Sequence, residues 1–247
     1  MSDFLFEKNR LTDGAHSLIK YVSQAVKIKL SANEVNIFRV NKNGSVVKVD
    51  AIPGITILEA NKGGGSIIVF HEGTLFTNCR ISVREKSCVI FEPSEYKINN
   101  LMISNHNGWG SLCYFGRNFS CNGAELRLWE FRDIYIGNDV MFSWHVMLFT
   151  SDGHSVINSS GDLTNVPEDI VISDHVWVGQ GVKILKGSFI NKNNVIAMNS
   201  LISKQHNEQN VLIAGTPGKV IKSEIRWERK RLFKVEREHP KWMKYWS

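Results

Sequence analysis

Branched apolar residues recur at every sixth position between residues 172 and 203. Isoleucine or valine occupies positions 172, 178, 184, 190, 196 and 202 without a gap. A helix would place apolar residues three or four apart, and a half-buried strand would alternate them with period two. A period of six indicates a short strand followed by a sharp corner. Three such edges close one triangular turn, so the pattern predicts a parallel β-helix with about eighteen residues per coil.

The six-residue spacing continues less regularly upstream. Ile136, Phe142 and Leu148 keep the step, and a small residue that can turn a corner often follows the inward position. Further upstream the repeat is degenerate. We assign residues 54–213 to the β-helix, from which residues 149–169 protrude as a loop. A β-sandwich whose alternation falls in phase by coincidence is the alternative.

The flanking regions show other patterns. Residues 1–53 are assigned to an N-terminal helix and a β-hairpin, because two apolar runs flank an Asn-Gly turn at 43–44. The helix follows from a stripe of apolar residues within 11–30, namely Ala15, Leu18, Ile19, Val22, Ala25 and Val26. Residues 214–247 form a third region, a loop followed by a C-terminal helix with charged and aromatic positions.

Composition limits the protein's class. With 247 residues and 43% hydrophobic content, the chain can bury a sizeable core. Its apolar runs are too short to span a membrane, and its first residues lack the features of a signal peptide, so we expect a cytoplasmic protein. The four cysteines show no zinc spacing and are interpreted as small buried apolar residues.

The positive charge is concentrated in the third region. The whole chain carries a formal charge of +6, and residues 219–244 alone contain ten Lys/Arg and four Asp/Glu. A basic tail suits a phosphorylated ligand, a nucleic acid or an anionic membrane surface. The alternative is a solvated helix face.

The protruding loop carries the first candidate for chemistry. His154 stands at its root, and a neutral imidazole that titrates near physiological pH can take a proton from an attacking alcohol or amine. Asp152, two residues earlier, is a candidate to orient the ring, and a turn residue is the equal alternative. His145 lies on a coil face near the same loop and is a rival base.

Three segments then resemble a known family. They are "IYIGNDVMFSWHVMLFTSDGH", "VISDHVWVGQGVKIL" and "IAGTPGKVIK", which follow one another between residues 134 and 222. Together they resemble the hexapeptide-repeat acyltransferases, and within them the O-acetyltransferases that act on galactosides, maltose and surface polysaccharides. The resemblance covers roughly residues 113–225.

The resemblance implies a left-handed β-helix that forms a homotrimer, with acetyl-CoA bound between neighbouring subunits. It implies that His154 is the catalytic base and that Trp177 forms a wall of the pocket. For Trp177, packing at a subunit contact is the alternative. Asn122 matches the asparagine that holds the acceptor, with Trp144 and His145 as further candidates for substrate binding, although asparagine is also a common corner residue.

For acetyl-CoA, the resemblance implies contacts with the final coils and with cations that meet its phosphates. The corresponding positions are Gln180, Met198, Ser203, Lys204, Lys219 and Lys222. No metal is expected. The carbonic anhydrases of this kind of β-helix use two histidines five residues apart, and no histidine pair in this sequence has that spacing.

We therefore expect a mainly β protein that transfers an acetyl group from acetyl-CoA to a saccharide hydroxyl, with a cell-surface poly- or oligosaccharide as acceptor. N-acetylation of an amino-sugar nucleotide and acetylation of a xenobiotic are the enzymatic alternatives. The non-enzymatic alternative is a β-helix scaffold whose basic tail binds nucleic acid or a membrane. The tail's tryptophans lack the ordered context of a stacking module, so no nucleic-acid partner is expected.

Overall fold

The computed structural model describes residues 2–26, 34–59, 64–105 and 110–230, and these ranges contain one α-helix and 24 β-strands. Helix α1 spans Asp3–Val26. The strands of the described ranges form three sheets, called sheets A, B and C. Neighbouring strands are parallel except at two edges, where β1 pairs with β2 and β23 pairs with β24 in antiparallel fashion.

Within each sheet, most strands lie beside the strand three positions earlier or later in the chain. Sheet A contains β2 (Val46–Val49), β1 (Asn36–Val40), β4 (Ile67–His71), β7 (Cys88–Phe91), β10 (Leu112–Phe115), β13 (Ile134–Ile136), β16 (Ile170–Ile172), β19 (Phe189–Ile190) and β22 (Gln205–His206). Sheet B contains β21 (Leu201–Ile202), β18 (Lys183–Leu185), β15 (Val146–Phe149), β12 (Ala124–Arg127), β9 (Leu101–Ser104), β6 (Cys79–Val83) and β3 (Ile55–Glu59). Sheet C contains β24 (Lys219–Lys222), β23 (Leu212–Ala214), β20 (Val195–Ile196), β17 (Trp177–Val178), β14 (Met141–Phe142), β11 (Ser120–Cys121), β8 (Lys97–Asn99) and β5 (Leu75–Thr77).

The chain visits the sheets in the order A, C, B and then returns to A one level further along. This path creates three edges, called the A/C, C/B and B/A corners. Ile172 pairs in register with Ile190, eighteen residues later, and the six residues of the repeat between 172 and 202 are completely buried. The predicted parallel β-helix is therefore confirmed, and each sixth residue points into its axis.

The upstream coils are longer, which explains why the repeat degenerates there. Phe91 pairs with Phe115, and Phe115 pairs with Ile136, so these coils have 24 and 21 residues. The interior of these coils contains aromatic rings. Phe76, Phe91, Phe115, Phe119 and Phe142 form a continuous stack whose successive ring centroids lie 4.6–5.1 Å apart.

Helix α1 covers the outer face of sheet A. Leu11, Ala15 and Val22 pack against sheet residues such as Val69 and Val171, and burial of each large apolar side chain contributes roughly 1.5–3 kcal/mol. The predicted N-terminal helix is confirmed, although it begins before residue 11. The predicted hairpin is also confirmed, and its first strand pairs in parallel with β4, so the hairpin is continuous with sheet A.

Residues 223–230 form an irregular segment without helix. The rest of the predicted C-terminal helix, residues 231–247, lies outside the described residues. All four cysteines are free, and Cys79, Cys113 and Cys121 are buried as predicted. Among the described residues, no helix is long and apolar enough to cross a membrane.

Candidate active site

The protruding loop leaves the solenoid at the B/A corner, between β15 and β16. The two ends of the loop are joined by a hydrogen bond from the Glu168 N–H to the Thr150 carbonyl oxygen, at 3.1 Å. The Thr150 hydroxyl accepts a hydrogen bond from the Trp129 N–H at 2.9 Å, which fixes this end to the preceding coil. The base of the loop is thus held by the solenoid on two sides.

A polar cluster then fixes the residues around His154. The Lys186 ammonium, on the next coil, donates to Asp152 Oδ2 at 2.5 Å and to the Asn165 carbonyl oxygen at 2.9 Å. Asn165 Nδ2 donates both to Asp152 Oδ2, at 2.9 Å, and to the His154 carbonyl oxygen, at 2.8 Å. We call Asp152, Asn165 and Lys186 the loop clamp. The hydrogen bond from Lys186 is the main reason why the pKa of Asp152 is lowered.

The clamp leaves the His154 side chain exposed. Its imidazole has no hydrogen-bond partner within the described part of the chain, so it can accept a proton from a bound molecule. The carboxylate of Asp152 contacts Lys186 and Asn165 and not the ring. Asn165 holds the His154 backbone, and Asp152 acts on His154 only through Asn165. The Asp152 carboxylate does not set the orientation of the imidazole directly.

The predicted substrate-binding residues meet at a different edge, the C/B corner. Asn122, Trp144 and His145 line a cavity of about 350 Å³, together with Glu125 and Asn100. Trp144 is 53% exposed and can present its ring to a ligand. His145 adopts φ of 58°, because the chain turns its corner at this residue.

The structure brings the predicted acceptor residues together but separates them from His154. Strand β15 begins directly after His145 and ends one residue before Thr150, and a strand of four residues spans roughly 13 Å. His154 and the cavity therefore lie at opposite edges of sheet B. A single copy of the chain does not unite them.

Trp177 lies on the outer face of sheet C. Its side chain is 38% exposed, and its indole N–H points to the Ser143 hydroxyl at 3.4 Å. The ring of Trp227 contacts it from the side, with centroids 6.1 Å apart and an interplanar angle of 46°. Trp177 thus presents one part of its ring to solvent while another part packs on Trp227.

The predicted coenzyme-binding residues divide between the two edges of sheet B and the end of sheet C. Gln180 and Met198 continue the C/B corner beyond Trp144, as hydrogen bonds from Gly181 N to Trp144 O and from Asn199 N to Gln180 O show. Ser203 and Lys204 lie at the B/A corner, on the side of the loop. Lys219 and Lys222 are on β24, at the edge of sheet C.

These coenzyme candidates fit an elongated phosphorylated ligand. All six side chains are exposed. The ammonium groups of Lys204, Lys219 and Lys222 form no ion pair within the described residues, so they are available to phosphates. Among those residues, no group of histidine, cysteine or acidic side chains could hold a metal ion.

Sequence reasoning missed Lys186, Asn165 and Trp227. Lys186 lies 34 residues after its partner Asp152, and Trp227 lies 50 residues after Trp177. Neither pair has a local spacing that a motif could reveal. The available signal was the length of one coil. Residues about eighteen apart meet at the same corner, and the inserted loop increases that separation for Asp152 and Lys186.

The chain is similar in sequence to proteins named as O-acetyltransferases. It is 34% identical over 121 residues to a polysialic acid O-acetyltransferase of Escherichia coli O1:K1 / APEC, a match that covers 49% of this chain and 39% of that protein. It is 36% identical over 114 residues to a galactoside O-acetyltransferase of Lactococcus lactis subsp. lactis, covering 45% of this chain and 53% of the relative. The predicted resemblance to O-acetyltransferases is confirmed.

The chain also aligns with the solved structure of a polySia-specific acetyltransferase. The alignment covers 84% of this chain and 91% of the other chain, at 23% sequence identity and a TM-score of 0.49. No family model matches the chain. The sequence matches span about half the length of the two relatives or less.

Proposed function

We propose that the protein is an acetyltransferase that transfers the acetyl group of acetyl-CoA to a hydroxyl of a saccharide. The observation that carries the proposal is the sequence similarity to relatives named as O-acetyltransferases. The exposed imidazole of His154, whose backbone carbonyl is held by Asn165, supports it, because the reaction needs a base that a substrate can reach.

In the proposed reaction, a ring nitrogen of His154 takes the proton of the acceptor hydroxyl as that oxygen attacks the thioester carbon. A carbon–oxygen bond forms, and the carbon–sulfur bond breaks. The imidazolium then returns the proton to the departing thiolate, which leaves as the free thiol of coenzyme A. No covalent enzyme intermediate is required. The loop clamp keeps His154 in place during the transfer, which avoids an entropic cost at the transition state.

The acceptor and the coenzyme are assigned to different surfaces. The cavity of Asn122, Trp144 and Glu125 combines an amide, an aromatic ring and a carboxylate, groups that can hydrogen-bond and stack on a sugar. The exposed lysines at 204, 219 and 222 suit the phosphates of the coenzyme. Poly- or oligosaccharides of the cell surface are the acceptors we propose.

A homotrimer with its active sites between subunits completes this arrangement. In one copy, His154 and the Asn122 cavity lie on opposite edges of sheet B. Closed rings of identical subunits bring two different surfaces of the same chain together. His154 of one subunit can then meet the cavity of the next subunit. We further propose that the protein works in the cytoplasm, where acetyl-CoA is available.

Activity measurements with the purified full chain test the proposal. Release of coenzyme A is followed with neutral saccharides, a sialic acid oligomer and amino sugars as acceptors, and mass spectrometry locates the acetyl group. We expect acetylation of a saccharide hydroxyl, and a loss of about 10²–10⁴-fold in kcat for His154→Ala. The comparison variant is His145→Asn, which keeps a residue suited to positive φ. Because His145 lines the acceptor cavity, we expect this variant to raise the KM for the acceptor and to keep a kcat close to the original, whereas His154→Ala loses kcat.

Three results contradict the proposal in different ways. Acetylation of amines alone would replace the O-acetyltransferase by an N-acetyltransferase. Lost turnover in His145→Asn with normal turnover in His154→Ala would reassign the base to His145. Absence of coenzyme A release with every acceptor would favour the non-enzymatic scaffold.

A further inference from the structure

Residues 225–230, called the C-terminal strap, run along the A/C corner against the direction in which the coils progress. Ile225 N donates to the Asn210 carbonyl oxygen on the last coil, at 2.9 Å. Trp227 then meets His175, and Arg229 reaches the carbonyl oxygen of Asn118, at 2.9 Å. The strap therefore crosses several coils and ties the end of the described chain to the middle of the solenoid.

Arg229 fixes the end of the strap. Its guanidinium donates to Asp139 Oδ1 at 2.5 Å, to the Ser120 hydroxyl at 2.6 Å, and to the carbonyl oxygens of Asn118 and Val140 at 2.9 and 3.0 Å. The side chain is only 11% exposed. Charge-assisted hydrogen bonds in a planar fork are directional, and a lysine in this place could not reproduce them.

Trp227 is held between this anchor and His175. Its ring stacks on the imidazole of His175 with centroids 4.2 Å apart and an angle of 10°, and its indole N–H donates to the His175 carbonyl oxygen at 3.1 Å. His175 Nε2 faces the Trp227 carbonyl oxygen at 3.2 Å, and Nδ1 faces Asp139 Oδ2 at 2.6 Å. Asp139 thus connects two residues of the strap. Its Oδ1 accepts a hydrogen bond from Arg229, and its Oδ2 contacts His175, on which Trp227 stacks.

The strap reaches the candidate active site through the contact between Trp227 and Trp177. Trp227 is 6% exposed and cannot itself bind a substrate, whereas Trp177 beside it is 38% exposed. The indole N–H of Trp177 makes a long contact of 3.4 Å to Ser143. Met141 and Val195 are the in-register neighbours of Trp177 on sheet C. The ring of Trp227, 6.1 Å away between centroids, is the contact that the strap adds to the Trp177 ring.

We infer that Trp227 is a positioning residue, which, anchored by Arg229, sets the orientation in which Trp177 meets the substrate. The inference rests on the proposed function, because Trp177 is taken as a wall of that active site. The strap thereby has a role that the six-residue repeat of the solenoid does not predict. A purely structural strap would stabilise the coils without acting on Trp177.

A double-mutant cycle in the 247-residue chain separates the two roles. We expect Trp227→Ala to lower kcat/KM about tenfold, mainly through a higher KM. The double variant Trp177→Ala/Trp227→Ala should lie within about twofold of Trp177→Ala alone, because Trp227 acts through that ring. Losses that multiply in the double variant would show independent structural damage and would overturn the inference.

Arg229→Lys provides a second variant that leaves both tryptophans in place. We expect it to move kcat/KM in the same direction as Trp227→Ala, by a smaller factor. The matched control is Arg226→Ala, because Arg226 lies on the same strap with an 85% exposed side chain. Unchanged kinetics in both Arg229→Lys and Trp227→Ala would contradict the inference, and thermal unfolding shows whether each variant is folded.

A fluorescence measurement without substrates keeps the inference separate from the proposed function. Acrylamide quenching is measured with and without Trp177→Phe, both in the original protein and in Trp227→Phe, so that each of the two differences reports on Trp177. We expect Trp177 to be quenched more strongly once Trp227 is replaced. Unchanged quenching refutes the positioning role even if acetyl transfer is found, and changed quenching supports it even if the parent protein transfers no acetyl group.

Discussion

Lys186 is the residue that connects the loop of His154 to the next coil. Lys186 lies directly after β18, and its ammonium donates to the Asp152 carboxylate and to the Asn165 carbonyl oxygen of the loop. Its side chain is 17% exposed and that of Asp152 is 47% exposed, so the pair adds little to global stability, on the order of 1 kcal/mol or less. Its effect is expected on the position of His154 instead.

We predict that Lys186→Met lowers kcat about tenfold and leaves the free energy of unfolding within about 1 kcal/mol of the original. The measurement pairs steady-state kinetics with urea unfolding, and Lys192→Met, an exposed lysine at the A/C corner, is the control. Since the pKa of Asp152 is lowered by Lys186, the clamp is present above the unfolded pKa of this carboxyl group. The clamp is lost as the pH falls through the pKa that Asp152 has in the folded protein. The kcat values of the original protein and of Lys186→Met should therefore become equal only in acid. Equal kcat near pH 7 would show that the clamp does not position His154.

Site residues that lie close together in the sequence could be recognised from it. Site residues that only the folded chain brings together could not. His154 and Asp152 lie two positions apart, so a local motif contains both. Lys186 contacts Asp152 and the Asn165 carbonyl oxygen because the chain returns to the B/A corner one coil later. The short spacing makes Asp152 a candidate to orient the imidazole, with a turn residue as the equal alternative, and in the structure Lys186 and Asn165 bind its carboxylate.

Among the elements, helix α1 has a role beyond covering sheet A. The Lys8 ammonium donates to Asp169 Oδ2 at 2.5 Å, and Asp169 Oδ1 receives the Asp133 N–H at 2.9 Å. Asp169 is the last residue of the protruding loop, so the helix fixes the end that the loop clamp does not reach. The side chain of Asp169 is 10% exposed, and a buried carboxylate without its cation is costly.

We predict that Lys8→Met lowers the free energy of unfolding by about 1–3 kcal/mol, because Asp169 keeps only its backbone hydrogen bond. Lys8→Met/Asp169→Asn should recover part of this loss, since the unpaired charge is removed. Urea unfolding measures both, with Lys20→Met, an exposed lysine of the same helix, as the control. A Lys8→Met protein as stable as the control would mean that the ion pair does not tether the loop.

The elements that the sequence predicted are those with a regular period. Coils of eighteen residues carry one branched residue per edge, so their strands could be placed individually. Coils of 21–24 residues have longer corners and phenylalanine cores, and the six-residue step disappears. The C-terminal strap has a helical charge pattern, but Trp227 and Arg229 are bound by tertiary contacts that extend residues 225–230 along a corner.

For the whole molecule, the separation of the two halves of the candidate site leads to the final prediction. If His154 of one subunit serves the Asn122 cavity of the next, His154→Ala and Asn122→Ala chains can complement each other. Each variant alone should be nearly inactive. In a trimer that contains both variants, one interface of the ring pairs an intact histidine with an intact cavity, so activity should return to about one third of the original.

The two variants are co-expressed with different affinity tags, and doubly tagged oligomers are assayed beside a mixture of oligomers purified separately. If each site belongs to one chain, no interface of the mixed oligomer is complete and activity stays at the level of the single variants. A sedimentation experiment that finds only monomers would exclude this arrangement before any assay.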